Sequence, residues 1–332
     1  VAHPAFASQA QEIVSLKNAQ GLRARAVDIT RIYDRFSGGV PEATAIQKAL
    51  RSVPGLRYAL LVGDDTLDYH NYYNLEPFPV LPSLSDWETE SGRVPSENRY
   101  ADFDDDGAPA IAIGRLPVQT TEEATIAVAK IRRQGQVMAA NRGKHLFVTD
   151  NQGPSDPSYR AHAEAVAAGL PPTASVAFAD ASLGVQAARD VMTSALSAGA
   201  AFTSYFGHGS PDAWADEGIF SVDDVPAISG LKETLVLMWT CQSQYYTYFF
   251  GPSLGEALFL LPQGGAVASV GPAGISSTEH QVPFYDAFYR EIAAGKTIGD
   301  ALKIAKRQVA SKLDAGSGLV GFNLIGDPSL RP

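Results

Sequence analysis

Ala201-Phe202-Thr203-Ser204-Tyr205-Phe206 runs into Gly207-His208-Gly209-Ser210, and Leu235-Val236-Leu237-Met238-Trp239-Thr240 runs into Cys241-Gln242-Ser243. Short, continuous apolar runs that break into polar turns suit strands buried on both faces of a parallel sheet. Right-handed crossovers lay consecutive strands of such a sheet side by side, about 4.8 Å apart, with their carboxyl ends on one edge. That edge is where open α/β sheets carry their sites. His208 and the only cysteine of the chain, Cys241, are therefore expected to leave neighbouring strands together. A thiol beside an imidazole is the minimum equipment of a cysteine nucleophile.

Around this pair the chain alternates strand-like and helix-like segments. In the first part, helices are expected over Ser8–Gln20, Pro41–Val53 and from a Thr120/Glu123 capping box to Gln136. Strands are expected over Leu22–Ile29, Tyr58–Val62 and Ala110–Gly114, and residues 64–109 between them read as one long irregular segment. After a junction at Asn141–Lys144, strands are expected at His145–Thr149, Ala174–Phe178, the two runs above and Ala266–Val270. Helices are expected at Ser158–Gly169, from Val185 to Leu196, and at Leu254–Leu261, Pro283–Ala294 and Ile298–Leu313, with a closing turn at Gly326–Ser329. The fold class is α/β: two subdomains, residues 1–143 and 144–332, each a mainly parallel sheet flanked by helices.

Composition narrows the function classes. Of 332 residues 45% are hydrophobic and 19% charged, ordinary for a globular protein, and length is ample for a large core. A net charge of −10 argues against nucleic acid or an anionic membrane as partner. No apolar run approaches the roughly 20 residues of a membrane span. One cysteine excludes an internal disulfide framework. The opening Val1-Ala2-His3-Pro4 reads as the tail of a strand, which suggests a piece of a longer precursor.

The remaining candidates have plain alternatives. A lone cysteine after a strand is often a buried small hydrophobe, but the glycine-flanked His208 raises the reactive reading, and the Gly209 and Cys241 amides could stabilise an oxyanion. Ser210 reads as a turn residue. His162 reads as a satisfied helix histidine and His280 as a surface one, while His3, His70 and His145 show no metal-ligand spacing. Asp102, Asp104 and Asp106 with Gly107 match positions 1, 3, 5 and 6 of a calcium loop, but Ile113 stands where its twelfth-position glutamate belongs. That loop is either a solvated acidic turn or a structural Ca²⁺ site.

With these residues in hand, the chain resembles the gingipain-type cysteine peptidases, family C25, relatives of the caspases. The match is carried by Tyr205-Phe206-Gly207-His208-Gly209-Ser210 with Ala213-Trp214, the apolar strand into Cys241, Gly255-Glu256-Ala257-Leu258, Gly265-Ala266-Val267-Ala268 and Gly326-Asp327-Pro328-Ser329-Leu330. Leu60-Leu61-Val62-Gly63-Asp64 and Ile113-Gly114-Arg115 extend it into the first part. The resemblance implies Cys241 as nucleophile, His208 as general acid and base, an oxyanion hole at Gly209 and Cys241, and Asp150 as the acid that supports the histidine. Arginine-specific members hold the P1 side chain with an aspartate early in the next helix. Here Ser158 or Tyr159 falls near that place, with Asp156 just upstream, so a basic P1 residue is expected only through Asp156. Trp214, Ile275 of the loop Gly271–Thr278, and Gln242 complete the substrate-contact candidates.

The function so implied is an extracellular or cell-surface cysteine endopeptidase acting on protein or peptide substrates through an acyl-enzyme, with no cofactor required for chemistry and further domains in its precursor. The alternatives are a secretion-system processing peptidase or transpeptidase that uses the same residues, and a catalytically silent caspase-like binding domain of a surface protein.

Overall fold

The computed structural model describes residues 1–88, 91–153, 156–310 and 318–332. Its strands are β1 (Tyr58–Val62), β2 (Ser85–Glu88), β3 (Gly92–Pro95), β4 (Ala112–Leu116), β5 (Lys144–Thr149), β6 (Ser175–Asp180), β7 (Phe202–Phe206), β8 (Ala213–Trp214), β9 (Phe220–Ser221), β10 (Thr234–Trp239), β11 (Ala266–Pro272) and β12 (Phe322–Ile325). Its α-helices are α1 (Ala7–Ala19), α2 (Ile29–Phe36), α3 (Ala43–Arg51), α4 (Glu97–Ala101), α5 (Thr121–Ala140), α6 (Tyr159–Ala168), α7 (Val185–Ala198), α8 (Leu254–Leu260), α9 (Thr278–Ala293) and α10 (Ile298–Ala310).

The α/β class holds, with a large, mainly parallel sheet flanked by helices. The strands of both parts join in one eight-stranded sheet, in the order β1-β4-β12-β11-β10-β7-β5-β6. The join is β12, which runs antiparallel to β11 and parallel to β4. It reverses the sheet's sense, so β1 and β4 end on the edge opposite to the one where β10, β7 and β5 end. The crossing is close: a Cβ on Gly114 would collide with the Gly326 carbonyl, and Gly326 donates its amide to Arg115 O at 2.9 Å.

Period-two alternation divides the core between the two faces. Phe147 of β5 and Leu235, Leu237 and Trp239 of β10 face one layer with Ala163 of α6, Phe284 and Phe288 of α9 and Leu302 of α10. Their chain neighbours Leu146, Val148, Val236 and Met238 face the other, with Met192 of α7 and Leu258 of α8. At the far end, Ala59 and Leu61 of β1 pack with α2 and α3 while Val62 packs with α1 and α5.

Several expectations are corrected. Leu22–Ile29 is not a strand, because Asp28 accepts the Thr30 amide at 2.8 Å and starts α2 at once, leaving only a bridge between Ala2 and Asp28. The 64–109 segment carries β2, β3 and α4, elements of four or five residues held by tertiary contacts rather than by pattern. Helix α9 begins at Thr278, not Pro283, because Ser277 caps it through the His280 amide. The Thr120/Glu123 capping box forms as expected. The expected end of the last helix, at Leu313, lies outside the described residues.

Candidate active site

Strands β7 and β10 pair in parallel with Phe206 opposite Trp239. His208 and Cys241 each follow their paired residue by two positions, so both leave the same edge in register. Gly207 must be glycine, since a Cβ there would collide with Asp150 Cβ. The main chain of His208 is then pinned on both sides. Its amide donates to Asp150 Oδ2 at 2.9 Å, and its carbonyl accepts the Tyr205 hydroxyl at 2.5 Å and the Ala215 amide at 3.0 Å. The side chain projects and is 53% exposed.

A Cβ on Gly209 would lie 2.5 Å from Thr240 Oγ1 and 3.3 Å from Cys241 O, so the loop after β7 rests directly on the turn after β10. The bridge between Gly209 and Trp214 takes its hydrogen bonds from His208, Ser210, Ala213 and Ala215, which leaves the Gly209 amide unspent by it. Cys241 is half-buried, and its thiol donates to Ser276 O at 3.7 Å. Gln242 follows at φ +54°, a left-handed turn that costs a non-glycine residue about 1 kcal/mol or more. Its amide donates to Gly274 O at 3.0 Å and its side chain to Ser91 Oγ at 3.3 Å.

Beneath the turn, buried Gln281 of α9 donates from Nε2 to Thr240 O at 2.9 Å and to Ser276 Oγ at 2.7 Å, tying together both sides of the cysteine. Sequence reasoning missed Gln281, because nothing in a glutamine in a first helical turn marks it as inward-facing.

The other site candidates divide. Asp150 is near the histidine but meets its main chain, with Oδ1 on the Asn151 amide at 2.8 Å. Burial pushes its carboxyl up, against the pull of those two amides. Asp156 faces the ring itself, with Oδ1 3.3 Å from His208 Nε2, and the Tyr159 hydroxyl lies 3.0 Å from the same nitrogen. Trp214, expected as a substrate contact, is instead 2% exposed and stacked on Tyr205 with ring centroids 4.6 Å apart, a core residue beneath the His208 loop. Ile275 is partly exposed between β11 and α9.

The remaining polar candidates are accounted for structurally. Ser210 donates to Asp212 and accepts the Ala213 amide, as a turn residue does. His162 Nδ1 pairs with the Tyr285 hydroxyl at 2.8 Å. His145 stacks on Phe202, and burial lowers its pKa to about 4. Asp102 is buried, with its two oxygens accepting the Asp106 and Gly107 amides at 3.2 and 2.9 Å, whereas Asp104 and Asp106 are exposed. Among the described residues no group of three or more His, Cys, Asp or Glu converges to hold a metal ion. The acidic loop is organised by its own amides. Among the described residues no helix is long and apolar enough to cross a membrane.

Solved structures similar to the whole chain include two of gingipain R. The Arg-specific cysteine proteinase gingipain R (RgpB) superposes with a TM-score of 0.77 at 18% identity, covering 100% of this chain and 77% of that one. The complex of Porphyromonas gingivalis RgpB pro- and mature domains gives 0.76 at 19%, covering 99% and 78%. These likenesses establish the caspase-like fold. No curated protein matches the sequence. The profile of peptidase family C25 matches residues 1–332, so the chain belongs to peptidase family C25 and is a cysteine peptidase.

Proposed function

We propose that the protein is an endopeptidase working through a Cys241–His208 dyad and an acyl-enzyme. The observation that carries this is the seating of Gly209 on Thr240 and Cys241, which fixes the imidazole-bearing loop against the thiol-bearing turn. His208 takes the thiol proton, and the Cys241 sulfur attacks the scissile carbonyl. The tetrahedral oxyanion is met by the Gly209 and Cys241 amides. Collapse breaks the C–N bond, and the imidazolium gives its proton to the departing amine. Water, deprotonated by the imidazole, then attacks the thioester and releases the acid and the thiol.

Export is the rule in the family that the chain resembles, which supports action outside the cell or at its surface. The existence of RgpB pro- and mature domains supports a longer precursor here. A basic P1 preference has weaker footing, because Asp156 faces His208.

The test is hydrolysis of a P1-diverse fluorogenic peptide library by the wild type and by Cys241→Ala. Loss of about 10³-fold or more in the variant, at unchanged melting temperature, is expected. Turnover that survives in Cys241→Ala excludes the thiol mechanism. An inert wild type whose thiol no peptide probe labels, even after limited proteolysis, makes the protein a silent binding domain.

A further inference from the structure

The surroundings of the His208 ring tell its two nitrogens apart. Nε2 lies 3.0 Å from the Tyr159 hydroxyl and 3.3 Å from Asp156 Oδ1. Tyr159 opens α6 and is 6% exposed, and its ring meets the imidazole edge-on with centroids 5.6 Å apart. Asp156 is fixed in turn: its Oδ2 accepts the Gly153 amide at 2.9 Å, and its own amide bonds Gly153 O at 3.2 Å. Asp150 spends both carboxylate oxygens on main-chain amides, those of Asn151 and of His208. It sets where the histidine sits, not how the ring turns.

We infer that Asp156 and Tyr159 are the positioning residues of the His208 imidazole: they engage Nε2 and leave Nδ1 as the nitrogen that exchanges protons with the Cys241 thiol and the departing amine. The inference rests on the thiol mechanism proposed above. With the Nε2 proton donated to the Asp156 carboxylate, Nδ1 keeps its lone pair and can accept the thiol proton. The resulting imidazolium then faces a carboxylate that stabilises it, as an orienting acid does in other nucleophile–histidine pairs. The other charged groups about the ring are Asp150 at the end of β5 and, behind it, Glu217 bonded to Asn151. On the histidine's own loop, Asp212 is held by Ser210. None of these is bonded to an imidazole nitrogen. An Asp156 committed in this way is not a lone carboxylate waiting for a P1 guanidinium or ammonium.

The single cysteine makes the test clean, because iodoacetamide alkylation reads the Cys241 thiolate without any substrate. Alkylation rate against pH, and kcat and KM on two peptides, one with a basic and one with an uncharged P1 residue, are measured for wild type, Asp156→Asn, Asp156→Glu, Tyr159→Phe, Asp150→Asn and His208→Ala. We expect Asp156→Asn to raise the alkylation midpoint by about one pH unit and to lower kcat about tenfold or more, with KM nearly unchanged. Tyr159→Phe should move both in the same sense by less, and Asp156→Glu should restore part of the loss. Profiles unchanged in Asp156→Asn and Tyr159→Phe but shifted in Asp150→Asn would assign the role to Asp150 and overturn the inference. Loss confined to substrates with basic P1 residues in Asp156→Asn would make that acid a specificity residue and overturn it as well. A His208→Ala profile identical to wild type would remove the dyad itself, a failure of the mechanism rather than of the positioning.

Discussion

Two strand ends of this molecule carry the same kind of sequence and meet opposite fates. Strand β1 ends in Gly63-Asp64-Asp65 and β10 ends in Thr240-Cys241-Gln242: each is an apolar run that opens into reactive side chains. At the β1 end every reactive oxygen is spent. Asp64 accepts the Asp65 amide and Gln119 Nε2, each at 2.8 Å. Asp65 accepts Tyr69 at 2.6 Å and both the amide and the hydroxyl of Ser83. Arg115, wholly buried, donates to Glu97 at 2.6 Å and to Gly63 O and Leu81 O at 2.8 Å, lashing the loop down. At the β10 end the thiol is half-buried, with a 3.7 Å contact to the Ser276 carbonyl, and the neighbouring imidazole is half exposed. Chemical potential in a strand end lies in what the fold leaves unspent, more than in the residue types. The reversal of the sheet at β12 separates the two ends onto opposite edges, so the sealed one can be structural without crowding the open one.

If that contrast is right, the sealed end carries stability. Arg115→Met removes the cation and leaves the Glu97 carboxylate buried, where Oε2 already has no hydrogen-bond partner. Breaking one side of a buried pair costs about 3–5 kcal/mol. Urea denaturation should show a loss of that size, whereas Cys241→Ala should leave the curve in place. Replacing both partners, Arg115→Met with Glu97→Met, should recover part of the loss. A single variant as stable as wild type would mean that the network does not hold the β1 end.

The same end should also make stability depend on pH. Burial, the largest influence, raises the Asp64 carboxyl to about 7, and the nearby Glu256 carboxyl is raised too, by burial first and then by Asp64. The folded state therefore holds protons that the unfolded chain, with carboxyls near 4, has released. Stability then falls as pH rises from about 4 to about 7, the reverse of the usual paired carboxylate. Asp64→Asn, whose amide can still meet a reoriented Gln119, should flatten that slope and be more stable than wild type above pH 7. Identical slopes in thermal melts of the two proteins would show that the pair does not titrate in this window.

Much of this was legible in the chain. Continuous apolar runs located β5, β7, β10 and β11, and the glycine-flanked histidine and lone cysteine fell on adjacent strand ends, because such signals are local. Strand β12 was not legible: four residues carry no period, and its place between β4 and β11 is decided by packing across the two parts of the chain. For the same reason nothing in the sequence says that Asp150 grips main chain while Asp156 grips the ring. That difference is a few ångströms in a turn. Trp214 misled because a large aromatic beside a catalytic motif suggests a subsite, whereas its ring fills the core against Tyr205.

The smallest expected effect probes the open end itself. Thr240 precedes Cys241, and its hydroxyl is buried with no hydrogen-bond partner. An unmet buried hydroxyl has surrendered its water and gained nothing, so replacing it by a methyl of similar shape is nearly neutral or slightly stabilising. Thr240→Val should therefore change unfolding free energy by no more than about 0.5 kcal/mol. If the hydroxyl only packs beneath Gly209, kcat should change less than about threefold, since the glycine seats on the atom's bulk and not on its charge. A fall of tenfold or more in kcat at unchanged stability would reverse the reading. The orphaned hydroxyl would then be a donor held for the substrate, and the β10 end would be still less spent than its contrast with β1 already makes it.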